Sequence, residues 1–248
     1  MDRLIYTAMS GMKSQMTAQA AIANNIANAN TTGFRADRVN FDNLMVEGDG
    51  FDTRRPTTGD VVDMDRDPGA IEQTGRALDI AVGSDSWIAV QATDGSEAYT
   101  RRGDLSVAPS GLLQTGDGFP VMGSAGPITL PPYDALTIGE DGTISIRPLG
   151  SEPGTPPQVI DKIKLASAEG TDTVKGTDNL LHVRGGGVLP QDLGGQVVSG
   201  ALEQSNVNLT QSLVDMIENQ RSYQVQANLL REAKKMDEGG ASLLRMPS

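Results

Sequence analysis

No cysteine occurs among the 248 residues. A disulfide framework, a zinc–thiolate site and a cysteine nucleophile are therefore all excluded. Histidine occurs once, at His182, so no His–His metal site can form within one chain. Aromatics make up 4% of the chain, with one tryptophan, Trp87, which is few for a sugar-binding cleft. No run reaches the roughly 18 consecutive apolar residues that a spanning helix needs. Met1-Asp2-Arg3-Leu4 lacks a basic region followed by an apolar core, so a cleaved secretory signal is not expected.

Glycine (29) and proline (13) are abundant, which points to many turns and short strands. The net charge of −12 is unevenly placed: residues 49–204 hold 11 basic and 23 acidic side chains, and the two ends are neutral. An acidic middle repels nucleic acid and anionic lipid, and no nucleic-acid partner is expected. Neutral ends suit surfaces that meet other protein, although acidic loops that merely keep a domain soluble explain the middle equally well.

The ends read as helices. Over residues 3–29, Ile5, Met9, Met12, Met16, Gln19, Ala23 and Ile26 are spaced alternately four and three apart, a heptad seam. Asn24, Asn25 and Asn28 are mediocre helix formers, so this segment is not optimised as a free helix. Gly33 ends it. Near the C-terminus, Asn208 followed by Gln211 resembles a capping box. Leu209, Leu213, Met216, Gln220, Tyr223, Ala227 and Leu230 repeat the same spacing, and Gly239-Gly240 is expected to stop the helix near Asp237. Ile22, Ala27, Val214, Ile217, Val225 and Leu229 lie off both seams, so each helix has more apolar surface than one partner needs.

The middle reads as all-β. Alternating runs occur at 78–82, 87–90, 97–101, 104–107 and 159–165, and Gly139-Glu140-Asp141-Gly142 joins 136–138 to 143–146 as a hairpin. Glu97→Ala in this block is expected to be mild. Residues 35–77 are polar and read as an extended connector. The expected fold class is α+β, with long terminal helices pairing as a coiled-coil-like inner domain around a central all-β domain. The expected division is 1–34 with 205–248 as the inner helical domain, 35–77 as connector and 78–204 as the outer β domain.

Catalytic constellations are missing. His182 reads as a strand residue. Asp63-Met64-Asp65-Arg66-Asp67 imitates a calcium loop, but Pro68 stands where glycine is needed and Thr74 where the bidentate glutamate belongs. Gly185-Gly186-Gly187 lacks the Lys-Ser/Thr of a phosphate loop. Acidic pairs are plentiful, but nothing singles one out for glycoside hydrolysis. No catalytic residue, metal ligand or cofactor site is expected, and no small-molecule substrate.

Ala23-Asn24-Asn25-Ile26-Ala27-Asn28-Ala29-Asn30-Thr31-Thr32-Gly33-Phe34-Arg35 resembles the N-terminal signature of the bacterial flagellar rod and hook proteins. Ser205-Asn206-Val207-Asn208 through Gln220-Arg221-Ser222-Tyr223 resembles their C-terminal signature, and 78–82, 97–101 and 126–131 add to the likeness. The opening Met1–Met9 looks most like the proximal-rod members of that family. The chain also lacks the longer glutamine-rich insertion of the distal-rod members, which remain the second reading. The resemblance implies a structural subunit that polymerises through its terminal helices into a hollow, torque-bearing rod. Its implied partners are copies of itself, neighbouring rod proteins and the flagellar type III export apparatus, and its implied place is the basal body in the periplasmic space. The assembly interface expected from it is Ile5, Met9, Met12, Met16, Ala23, Asn25, Ile26, Asn28, Leu209, Leu213, Met216, Gln220, Tyr223, Ala227 and Leu230. An enzyme, or a soluble coiled-coil adaptor or adhesin, is the alternative; the first needs a catalytic constellation and the second a hydrophilic back to each helix.

Overall fold

The structure, a computed structural model, describes residues 2–43, 57–83, 85–152 and 155–244. The part of the expected connector at 44–56 lies outside them. The chain divides into two compact units: residues 1–27, 37–63 and 207–248 form the first, and 28–36 and 64–206 the second.

The first unit contains α1 (Asp2–Ala27), the paired strands β1 (Asp37–Asn43) and β2 (Thr57–Met64), and α2 (Leu209–Leu244). Alanine-rich sequence favours α1. The side chain of Asn208 caps α2, its Oδ1 accepting the Gln211 N–H at 3.1 Å. Gln211 does not complete the reciprocal box: its side chain turns to Asp215 at 2.8 Å. Nor does Gly239-Gly240 stop α2, which continues to Leu244. Each glycine costs about 1 kcal/mol in a helix, a cost that lowers stability without forbidding the turn.

The second unit contains fourteen short strands. In chain order they are β3 (Ile71–Gln73), β4 (Ile80–Val82), β5 (Ser86–Gln91), β6 (Glu97–Thr100), β7 (Ser106–Val107), β8 (Leu113–Gln114) and β9 (Tyr133–Ile138). There follow β10 (Thr143–Pro148), β11 (Gln158–Lys162), β12 (Leu165–Ser167), β13 (Thr173–Lys175), β14 (Leu181–Val183), β15 (Val197–Ser199) and β16 (Ala201–Glu203). The largest sheet has the order β12-β5-β6-β14-β13. Alternation along β5 sends Ile88 and Val90 into one apolar cluster and Trp87 and Ala89 into another. The first cluster also takes Ile80, Leu105, Leu113, Val121, Ile144, Ile146 and Ile163; the second takes Tyr99, Ala166, Leu181 and Leu189. The sheet is thus covered on both faces. β9 and β10 form the expected hairpin, with Ile144 opposite Ile138. Its turn closes through Gly142, at φ 84°, where only glycine sits without strain. His182 lies in β14, its Nε2 3.1 Å from Asp178 Oδ2.

The expected fold class is corrected here. The chain is strand-rich, with sixteen strands in six sheets among the described residues and only two helices. The helices touch, but no long paired coiled coil forms along the expected seam. The row of α1 that is buried is Ser14, Ala18 and Ala21, and Gly11 meets Gln226 so closely that an added Cβ would lie 3.1 Å from its Nε2. Small side chains let the helices approach. Met9 and Met16 lie outside that contact and are exposed.

The second unit also buries charge. Glu203 lies 2.6 Å from Arg35 and 3.3 Å from Arg101, and all three side chains are almost fully enclosed. The Arg101 guanidinium sits 5.3 Å from the Trp87 ring centre. Burial pulls both arginines below their ordinary value, and the shared carboxylate pulls the other way.

Candidate assembly surface

Two rows of α1 have the same four-and-three spacing. One carries small or polar residues and is buried, as described. The other carries Tyr6, Met9 and Met16, which are exposed by 63%, 55% and 59%. On α2 the buried positions are Asn219 and Ala233, whereas Leu209, Leu213, Val214, Ile217, Val225, Leu229 and Met236 are all exposed. The helices therefore invert the usual order: polar and small residues inside, large apolar residues outside. Asn219 Oδ1 and Gln226 Oε1 are buried without a hydrogen-bond partner. A buried acceptor of this kind costs about 1–3 kcal/mol, so the contact between α1 and α2 is not optimised for tightness. Exposed large apolar side chains gathered on two helices make this the candidate contact surface of the first unit.

The expected interface residues fall into four groups. Met9, Met16, Ala23, Leu209, Leu213 and Gln220 are exposed. Met12, Ile26, Met216, Tyr223, Ala227 and Leu230 are half-buried. Ile5 lies in α1, its side chain outside the described residues. Asn25 and Asn28 are used within the chain. Asn25 Nδ2 donates to the Asp37 carbonyl at 3.0 Å, and its Oδ1 accepts the Asp37 N–H at 2.7 Å. Asn24 Nδ2 donates to Asp37 Oδ2 at 2.6 Å. The Asn28 carbonyl accepts the Thr31 N–H at 3.1 Å as the chain turns out of the helix. Poor helix formers in the last turn of α1, at Asn24 and Asn25, are the signal that could have pointed to these bonds.

Among the described residues, no group of three or more His, Asp or Glu side chains could hold a metal ion. The second unit has a small polar hollow of about 190 Å³, with Thr31, Arg102, Asp117 and Asp178 among its walls. Arg102 is already bound to Asp104 at 2.7 Å and to Asp117 at 2.6 Å, so that hollow offers no free cation.

Comparison with known proteins gives a consistent family. Residues 5–35 match the family "Flagella basal body rod protein", 81–146 "Flagellar hook protein FlgE/F/G D1 domain", and 198–243 "Flagellar basal body rod FlgEFG protein C-terminal". The chain is 38% identical over 255 aligned positions to the flagellar basal-body rod protein FlgF of Salmonella typhimurium, covering 99% of this chain and 100% of that one. It is 39% identical to FlgF of Escherichia coli, covering 93% of each chain. It is 32% identical to the flagellar basal-body rod protein FlgG of Bacillus subtilis, covering 93% of this chain and 94% of that one. With its terminal and central segments all matched and its length covered almost throughout, this chain belongs to the flagellar basal-body rod protein family.

Proposed function

We propose that the chain builds the rod by contact alone, without catalysis, the outward apolar rows of α1 and α2 binding copies of itself and neighbouring rod subunits. Its function as a structural rod subunit follows from the family. The observation that carries the finer reading is the inverted polarity of the helices: Met16 and Ile217, exposed by 59% and 52%, are the kind of side chain that folding normally buries. In this reading the first unit is the assembly domain, and the assembled rod passes torque outward. Transit through the flagellar type III export apparatus into the periplasmic space completes the proposal; a cysteine-free chain suits it, since no disulfide can trap it there. A proximal place in the rod is supported by higher identity to the two FlgF relatives than to FlgG.

The test is Met16→Asp and, separately, Leu213→Asp. Full burial of such a side chain is worth about 1.5–3 kcal/mol, and an unpaired buried carboxylate costs several more. Repeated at every subunit, that penalty should stop growth. In the isolated chain both positions are exposed, so circular dichroism and unfolding should barely change. Basal bodies isolated from the mutant strains should lack the protein, and swimming should cease, once fractionation has shown that export continues. Normal swimming with the mutant chain incorporated would refute the proposal.

A further inference from the structure

The chain passes between the two units at four places, beside residues 28, 36, 64 and 206. Within the second unit three of these ends meet at one side chain. Asn206 Oδ1 accepts the Ala36 N–H at 2.8 Å, and its Nδ2 donates to the carbonyls of Asp65 at 3.2 Å and Asp67 at 2.9 Å. Its backbone N–H donates to the Phe34 carbonyl at 3.3 Å, and Ala36 in turn accepts the Asp65 N–H at 2.8 Å. Both amide hydrogens and the amide oxygen are therefore in use. Aspartate has the shape but no donors, and glutamine has the donors at a different reach.

Glu203 extends the same arrangement inward. Its backbone carbonyl accepts the Gly33 N–H at 2.7 Å, and its Oε1 accepts the Gly69 N–H at 2.9 Å while pairing with Arg35. Arg35 Nη1 also donates to the Asp67 carbonyl. The segments that lead to α1, β1, β2 and α2 are thus bonded to one another before they leave the second unit.

We infer that Asn206 and Glu203 are positioning residues that lock the chain's four exit points together, so that mechanical load entering the second unit is shared among all four instead of pulling on one. The inference rests on the proposed rod function, in which the subunit carries load. It accounts for part of the Ser205–Asn208 signature: Asn208 caps α2, and Asn206 joins the exits.

The test uses full-length Asn206→Asp and Glu203→Gln. Hydrogen exchange on the purified protein should quicken about tenfold or more at Ala36, Asp65 and Gly69, while amides of the β5–β6 pair stay protected. In cells, rods should form and swimming in ordinary medium should continue, but speed should collapse in medium thickened with a viscous polymer. Unchanged exchange at Ala36 and Asp65 in both variants overturns the tie. Lost protection throughout the β5–β6 pair assigns the residues to general stability and overturns it too. Loosened amides with undiminished swimming under load overturn the mechanical role. The exchange arm needs no rod, and the rod reading fails separately, on Met16→Asp and Leu213→Asp.

Discussion

Tyr99→Phe should cost the second unit more than the loss of one oxygen suggests. Tyr99 is fully buried in β6. Its hydroxyl accepts the Leu189 N–H at 2.6 Å and donates to Glu97 Oε1 at 2.8 Å. Glu97 keeps a second partner, Lys164 at 2.7 Å, so its charge stays paired after the change. The Leu189 N–H does not; it is left in the apolar cluster of Trp87, Ala166 and Leu189 without an acceptor. An orphaned buried donor costs about 1–3 kcal/mol, and the lost bond to a carboxylate adds to it, for a total of about 2–3 kcal/mol. At about 2–4 °C per kcal/mol, the melting temperature should fall by about 4–12 °C. Trp87 is the chain's only tryptophan and lies in that same cluster, so its emission reports the transition directly.

A second signature separates the hydroxyl from packing. Burial is the largest influence raising the Tyr99 phenol above its ordinary value of 10.0. A folded pKa above the unfolded one gives stability that is complete below pH 10 and fades as pH rises from there towards the folded value. The unfolded wild-type chain loses that proton first, which pulls it towards unfolding by up to about 1.4 kcal/mol per pH unit. The alkaline limb of the stability profile should therefore be shallower in Tyr99→Phe by that slope. A variant as stable as wild type within about 0.5 kcal/mol, with an unchanged alkaline limb, would refute the reasoning.

Two further outcomes can be checked by the same Trp87 unfolding measurement. Gly103→Ala places a Cβ on the backbone carbonyl oxygen of buried Ile80, which cannot yield, and should cost about 3 kcal/mol or more. Burial raises the Asp161 carboxyl, but hydrogen bonds from Ser124 and the Lys162 N–H outweigh it and leave the pKa lowered. Its contribution is present above the unfolded value of 3.8 and is lost as pH falls through the folded one, so Ser124→Ala should shrink the loss of stability below pH 4.

Much of the secondary structure was legible in the sequence, and the packing was not. The helix cap at Asn208 and the Gly139–Gly142 turn stand out because each needs particular residues at fixed offsets. Four-and-three spacing fits several rows of one helix, so it does not single out the row that makes the helix contact. Hydrophobicity picked Met9 and Met16, but closeness of approach selects Gly11, Ser14 and Ala18. Strands such as β13 and β14, each three residues long, are too short for alternation to register. Glu97 looks like an ordinary polar strand residue, yet it is mostly enclosed and holds both Lys164 and Tyr99. Neither Asn206 nor Glu203 announces itself, because their partners lie more than a hundred residues away in the chain.

The bond between Asn25 and Asp37 has a consequence for the edge of β1. In an antiparallel strand the N–H and C=O of one residue point to the same side, where a neighbouring strand would exchange both bonds. At Asp37 that place is filled by a side-chain amide, which donates and accepts as a strand residue would. The helix thereby supplies a counterfeit neighbour. A foreign segment cannot extend the ribbon from Asp37 without first evicting the asparagine, so the amide acts as a guard against unwanted strand addition.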